Sequence, residues 1–179
     1  MKEDDAPRFI GHILREASRL VSLIDDIIRL SQLDEGSEMP RDESLLRVLS
    51  EEVCENLSDV AKLKAVSLEV SGDDGVINGV RRLLYEVIYN LCDNAIKYNN
   101  PGGYVKVSIV ELSDTVKISE SDNGIGIAPE HQEKIFERFY RVDKSHSKQS
   151  GGTGLGLSIV KHAVLYHHGK ITVESELNK

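Results

Sequence analysis

Three apolar rows at seven-residue spacing open the chain. Ile10, Ala17 and Ile24 form the first, Ile13, Leu20 and Ile27 the second, and Leu14, Val21 and Ile28 the third. Two rows would make the seam of a two-stranded coil, whereas three make a stripe wide enough for a helical bundle. The pattern predicts one long amphipathic helix from about Pro7 to Leu33. The polar stretch DEGSEMPRDES after it reads as a flexible joint. It divides the chain into a helical segment, 1–35, and a larger unit, 36–179.

Beyond the joint the period changes repeatedly. Leu45 to Lys64 reads as a helix, and VSLEVSG alternates like a strand. Val80 to Tyr98 is helical again. YVKVSIVEL and TVKISESD then form two strands about a turn at Ser113 and Asp114. Pro129 stands at a first helical turn, Arg141 to Ser150 is a polar loop, and Thr153 to His168 is a helix with Gly169 in the position of a cap. KITVESE reads as a last strand. Antiparallel strand pairs mixed with long helices predict an α/β fold. It is a two-layer sandwich of a mixed, largely antiparallel sheet with helices on one face, preceded by the long amphipathic helix.

Composition narrows the function. Hydrophobic residues make up 40% of the chain, and aromatics only 5% with no Trp, so the core is aliphatic. A net charge of -8 argues against nucleic acid and against anionic membrane as partners. No apolar run approaches the ~18 residues of a membrane span, and MKEDDAPRF has none of the features of a signal peptide. Cys54 and Cys92 stand apart without metal or redox spacing, which fits a reducing, cytoplasmic setting.

Three stretches carry chemistry. In RRLLYEVIYNLCDNAIKYNN a core stripe of Leu84, Val87, Ile88, Leu91 and Ala95 runs beside a polar row of Glu86, Asn90, Asn94 and Lys97. Asparagine is a poor interior helix residue. For either one alone a solvated face is the ordinary explanation, but a carboxamide oxygen at Asn94 also suits Mg²⁺, with Lys97 one turn on to reach phosphate. SDNGIGIAPE offers Asp122 at a strand end, with Gly124 and Gly126 to admit a flat ring. It is equally a good turn sequence. GGTGLGLS puts four glycines before a helical run. It fails the P-loop pattern, because Leu157 follows Gly156, and it fails the dinucleotide fingerprint, because no strand precedes it.

Taken in order, NLCDNAIKY, DNGIGI, FERFYR and GGTGLGL resemble the N box, first glycine box, F box and second glycine box of the catalytic and ATP-binding domain of sensor histidine kinases. That domain belongs to the wider ATPase group of gyrase, mismatch-repair and chaperone proteins. The resemblance covers nearly the whole chain, with 1–35 similar to the second helix of the dimerisation and histidine-phosphotransfer bundle. It implies ATP as phosphoryl donor, ADP as product, and Mg²⁺ held by Asn94 with support from Asn90. It implies that Asp122 accepts the adenine amino group, that Lys97 and Tyr98 contact phosphate and the adenine side, and that Gly124, Gly126 and Ile127 line the base. Tyr140 and Arg141 would flank a lid over 141–150. Gly152, Gly154 and Gly156 would hinge that lid, and this stretch, with Thr153, Leu155 and Leu157, would bind the nucleotide and turn backbone amides toward phosphate. Asn90, Asn94, Lys97 and Arg141 would carry the transfer. The implied partners are a histidine-bearing helix of the parent kinase, a response regulator, and a second copy through the bundle.

The chain also departs from this pattern. His12 lies in GHILREASRL, where Ile13 takes the place of an acidic neighbour and no proline follows, so it reads as a bundle residue. The implied acceptor would precede the chain. Glu120 shares strand parity with Val116 and Ile118, where an aliphatic residue is expected. On a buried face an unpaired carboxylate costs several kcal/mol or takes up a proton. Relatives continue into a further strand beyond ITVESE, so the sheet would lack that edge. His162, His167 and His168 lack the spacing of a zinc site, and His146 falls in the lid. The competing reading is an ATP-hydrolysing clamp of the gyrase or chaperone type. Those enzymes place a glutamate one turn before the magnesium asparagine, where this chain has Asn90.

Overall fold

The computed structural model describes residues 5–35, 38–142 and 153–177, apart from the side chains of 5–8, 15 and 19. The first element is α1, Asp5–Asp34, as the three apolar rows predict. There follow β1 (Asp42–Leu45), α2 (Leu46–Leu63), β2 (Ser67–Gly72), β3 (Val76–Gly79), α3 (Arg81–Lys97), β4 (Tyr104–Glu111) and β5 (Val116–Asp122). A short helix, α4 (Pro129–Gln132), a 3₁₀ turn (Lys134–Phe136) and α5 (Gly156–Tyr166) complete the order.

β4 is the central strand of a mixed three-stranded sheet, parallel to β2 and antiparallel to β5. Val105, Val107 and Ile109 alternate inward from β4 and meet Leu49, Val53 and Leu57 of α2 and Ile88, Cys92 and Ile96 of α3. A second cluster joins Leu83 and Val87 of α3 to Val160 and Ala163 of α5. α3 is thus packed on two sides, which confines its polar row to a narrow strip between them.

Residues opposite one another in an antiparallel pair share a face. Glu120 stands opposite Val107, and Asp122 opposite Val105. Both carboxylates therefore point to the helix-covered side, as the parity argument predicts for Glu120. Its Oε1 is buried without a hydrogen-bond partner. Burial, with the charge of Asp122 added, pushes its carboxyl up to about 8.

Four sequence expectations need correction. The polar joint does not run to residue 44: its end forms β1, which pairs antiparallel with the equally unforeseen β3. Residues 171–176 form no strand. Their polar groups go instead to the loop before α4, where the Ile127 amide donates to Ser175 Oγ at 2.9 Å and Gln132 Nε2 to the Ser175 carbonyl at 2.7 Å. The last helix starts at Gly156 rather than Thr153. Its left-handed cap residue is His168, at φ 59°, with Gly169 one place further on. The His168 amide donates to Leu165 O and the Gly169 amide to Val164 O, both at 2.9 Å, which is the double closure of a Schellman turn.

α1 is two-sided along its length. Ile10, Ile13, Leu14, Leu20, Val21, Ile24, Ile27 and Ile28 are exposed, while Leu30 and Leu33 near its end are buried. Leu30 packs on Leu155 and Ile159, and Leu33 joins the α3–α5 cluster.

Candidate nucleotide site

The polar strip of α3 runs between the two glycine boxes. At one end Asn90 Nδ2 donates to the Glu86 carbonyl at 2.9 Å, which fixes the carboxamide. A Cβ placed on Gly156 would fall 2.7 Å from Asn90 Oδ1, so with glycine here the first turn of α5 comes up against this carboxamide without displacing it. At the other end the Ile125 amide donates to the Tyr98 carbonyl at 3.1 Å. A Cβ on Gly124 would lie 2.6 Å from that same oxygen. Asn94 lies between the two junctions, half-buried, and its carboxamide bonds to no other side chain among the described residues. The N box thus spans the gap from one glycine box to the other.

Asp122 ends β5 on the covered face. Its Oδ1 accepts the Gly124 amide at 2.7 Å, an Asx turn that orients the carboxylate and leaves its second oxygen available. Gly126 takes φ 70° directly against the Glu176 carbonyl, where a Cβ would clash at 2.0 Å. The Ile127 amide is held by Ser175 as described. Lys97 is engaged with the Asp93 carboxylate one turn back, so reaching a phosphate requires it to exchange that partner. The Tyr98 side chain is exposed.

Around the second glycine box, Gly154 takes φ 76° and its carbonyl accepts the Phe139 amide at 3.0 Å. Phe139 is itself left-handed, at φ 62°. The Tyr140 hydroxyl meets His131 Nδ1 at 2.7 Å, and Arg141 is half-buried. Thr153 turns away from the α3 strip: its hydroxyl donates to Asp26 Oδ2 of α1 at 2.9 Å and accepts the Leu155 amide at 3.3 Å. Leu155 is wholly buried and Leu157 packs on the α3–α5 cluster, so their side chains serve the core. Gly152, His146 and the rest of 143–152 lie outside the described residues.

Sequence reasoning missed the ionic seam between α1 and the rest. Arg29 pairs with Glu86 at 3.3 Å, and Arg82 approaches the same Oε1 at 3.7 Å. Burial raises the Glu86 carboxyl even so, and its Oε2 has no partner. Arg138 of the F box binds both oxygens of Asp34, at 2.8 and 2.7 Å, and donates to His162 Nε2 at 3.1 Å. The Arg138 hydrogen bond and charge hold the Asp34 carboxyl below its usual range. His167 is structural as well. Its Nε2 accepts the Val80 amide ahead of α3 at 2.9 Å, while Nδ1–H donates to Ala163 O at 2.7 Å. Among the described residues no cluster of His, Cys, Asp and Glu could hold a metal ion.

A family model described as histidine kinase-, DNA gyrase B-, and HSP90-like ATPase matches residues 79–179, which include all four motifs. The chain belongs to this family. Within it, the similarity is to sensor histidine kinases. The sensor histidine kinase RppB of Synechocystis is 38% identical over 170 residues, 92% of this chain and 37% of that protein. SenX3 of Mycobacterium tuberculosis is 38% identical over 178 residues, 94% of this chain and 42% of that protein. Among solved structures, full-length ShkA in complex with AMPPNP superposes with a TM-score of 0.79 at 26% identity, over 95% of this chain and 36% of that one. The chain thus spans less than half the length of these relatives. It is a histidine kinase ATPase domain, and the gyrase-type clamp fits less well, since Asn90 occupies the place of the clamp's general base. No described helix of this domain is long and apolar enough to cross a membrane.

Proposed function

We propose that this domain binds ATP with Mg²⁺ along the α3 strip and transfers the γ-phosphoryl group to a histidine on a helix of its parent kinase, for relay to a response regulator. The observation that carries the reading is the double junction of α3, with Asn90 against Gly156 and Tyr98 against Gly124. It leaves one continuous track with a hydrogen-bond acceptor for a base at Asp122 and carboxamides toward the phosphate end. The residues fit a hard cation: Asn94 brings an unengaged carboxamide and Asn90 an oriented one, both oxygen donors, with room for water. When bound, the metal would neutralise phosphate charge. The protein's own part is positioning. Asp122 accepts the adenine amino group and selects against guanine, the glycine-box amides face phosphate, and Arg141 with Lys97 supplies positive charge.

The exposed apolar rows of α1 support a dimeric parent joined through a helical bundle, with 1–35 as bundle segment and 36–179 as a cytoplasmic catalytic unit. Calorimetric titration with ATP, ADP and GTP, with and without Mg²⁺, tests the site. Asp122→Ala should abolish ATP binding, and Asn94→Ala should weaken it chiefly when magnesium is present. Wild-type affinity in Asp122→Ala would refute the assignment. Supplied with labelled ATP and a separate acceptor helix, the domain should yield acid-labile, base-stable phosphohistidine on that helix. Steady phosphate release without an acceptor would favour the clamp.

A further inference from the structure

The end of α1 carries an acidic residue on either side of a buried leucine. Asp26, Leu30 and Asp34 follow at steps of four, so they form one row along the helix. Leu30 is buried against Leu155 and Ile159, beside the first turn of α5. From this anchor the two carboxylates reach different parts of the catalytic unit. Asp26 Oδ2 accepts the Thr153 hydroxyl at 2.9 Å. Both oxygens of Asp34 accept from Arg138 Nη2, at 2.8 and 2.7 Å.

Thr153 and Arg138 each precede a residue in left-handed backbone, Gly154 at φ 76° and Phe139 at φ 62°. These two residues face each other. The Phe139 amide donates to the Gly154 carbonyl at 3.0 Å, and a Cβ on Gly154 would lie 3.2 Å from the Phe139 Cα. Left-handed backbone is unfavourable for a residue such as phenylalanine and persists only where its surroundings over-determine it. α1 supplies that constraint on both sides of the junction. The Thr153 hydroxyl also accepts the Leu155 amide at 3.3 Å. The carboxylate that orients this hydroxyl therefore also fixes the turn leading to Gly156, where α5 meets Asn90.

We propose that Asp26 and Asp34 are positioning residues for the nucleotide site: through Thr153 and Arg138 they keep the Phe139–Gly154 junction, and with it the second glycine box, in the form that takes ATP. Both act from α1, outside the α3 strip. Their effect passes through the Gly154 backbone and through the approach of α5 to Asn90. Nucleotide affinity thus depends on the docking of α1, and by linkage bound ATP favours the docked helix by the same factor. The step to ATP rests on the nucleotide-site reading; the constraint on the junction does not.

Two measurements on the whole chain test this. In the first, without nucleotide, hydrogen exchange at the Phe139 amide is followed by NMR, with the Val107 amide of the central strand as reference. Asp26→Ala and Asp34→Ala should accelerate exchange several-fold more at Phe139 than at Val107. Acceleration no greater at Phe139 would indicate a general loss of stability and overturn the proposal. In the second, ATP with Mg²⁺ is titrated calorimetrically. Asp26→Ala and Thr153→Val should each bind several-fold more weakly, and the double variant no more weakly than the worse single one, because they break the same bond. Asp26→Asn, which keeps a hydrogen-bond acceptor without the charge, should recover most of the affinity. Full additivity, an Asp26→Asn variant as weak as Asp26→Ala, or unchanged or tighter binding in Asp26→Ala and Asp34→Ala would overturn the coupling to ATP. A wild-type chain that binds no nucleotide would instead overturn the site reading, while selective exchange at Phe139 would still support the constraint from α1.

Discussion

Glu120→Val should stabilise this domain, and by an amount that depends on pH in a defined way. The carboxyl titrates near 8 in the folded chain, against an ordinary 4.5, because burial and Asp122 both oppose its charge. Its folded value is raised, so its contribution to stability is fully present below pH 4.5 and is lost as pH rises toward 8. Each pH unit in that window takes away about 1.4 kcal/mol, roughly 3 kcal/mol by pH 7. Water reaching the partly exposed side chain trims this to about 2 kcal/mol. At about 2–4 °C per kcal/mol for a domain of this size, the variant should melt about 4–8 °C higher at pH 7. The gain should shrink toward pH 5 and level off above pH 8. The measurement is a pair of urea denaturation series on wild type and variant from pH 5 to 9, with Glu120→Gln as the neutral, near-isosteric control. Parallel curves, with a difference independent of pH, would show that Glu120 keeps its charge in the fold and that the argument from Val107 and the buried Oε1 fails.

Gly124→Ala should cost about 1–3 kcal/mol and weaken nucleotide binding, because its Cβ would press on the Tyr98 carbonyl at 2.6 Å; denaturation and titration of the same preparation read both. His167→Ala should cost about 1–3 kcal/mol by orphaning the buried Val80 amide. Desolvation lowers the His167 pKa, so the stability it confers is present above 6.5 and lost as pH falls through the lower folded value. Wild type but not His167→Ala should show that acid component in its denaturation midpoints. His168→Gly should raise the melting temperature by a few degrees, since it relieves a left-handed non-glycine residue worth about 1 kcal/mol; an unchanged value would mean that the histidine side chain compensates by other contacts.

What was legible in the sequence was whatever a period could encode. The seven-residue rows of α1, the two faces of α3 and the alternation that turns Glu120 inward are all local repeats. What was hidden depends on partners distant in the chain. β1 and β3 are four residues each, too short to show alternation, and they hold together by main-chain pairing. The left-handed cap fell on His168 rather than the adjacent glycine because the helix runs to Tyr166, and the turn closes from Leu165 and Val164. Asp26 and Asp34 read as ordinary polar positions on a helix, and nothing in their spacing names Thr153 or Arg138. For the candidate site, the four motifs named the residues, but that Leu155 faces the core, Thr153 faces α1 and Lys97 is held by Asp93 emerged from packing.

The single hydrogen bond from the Phe139 amide to the Gly154 carbonyl bears on how this domain tolerates change in length. It joins residues 139 and 154, fifteen positions apart in the sequence. The entropy of closing such a span grows only with the logarithm of its length, so doubling it costs about 0.6 kcal/mol. Inserting residues between these two anchors is therefore nearly silent for the fold, while the same insertion in α3 would shift Asn94 out of line with both glycines. The contrast turns on Gly154 as an anchor of the span and on Gly156, two residues further on, as the point where α5 meets Asn90.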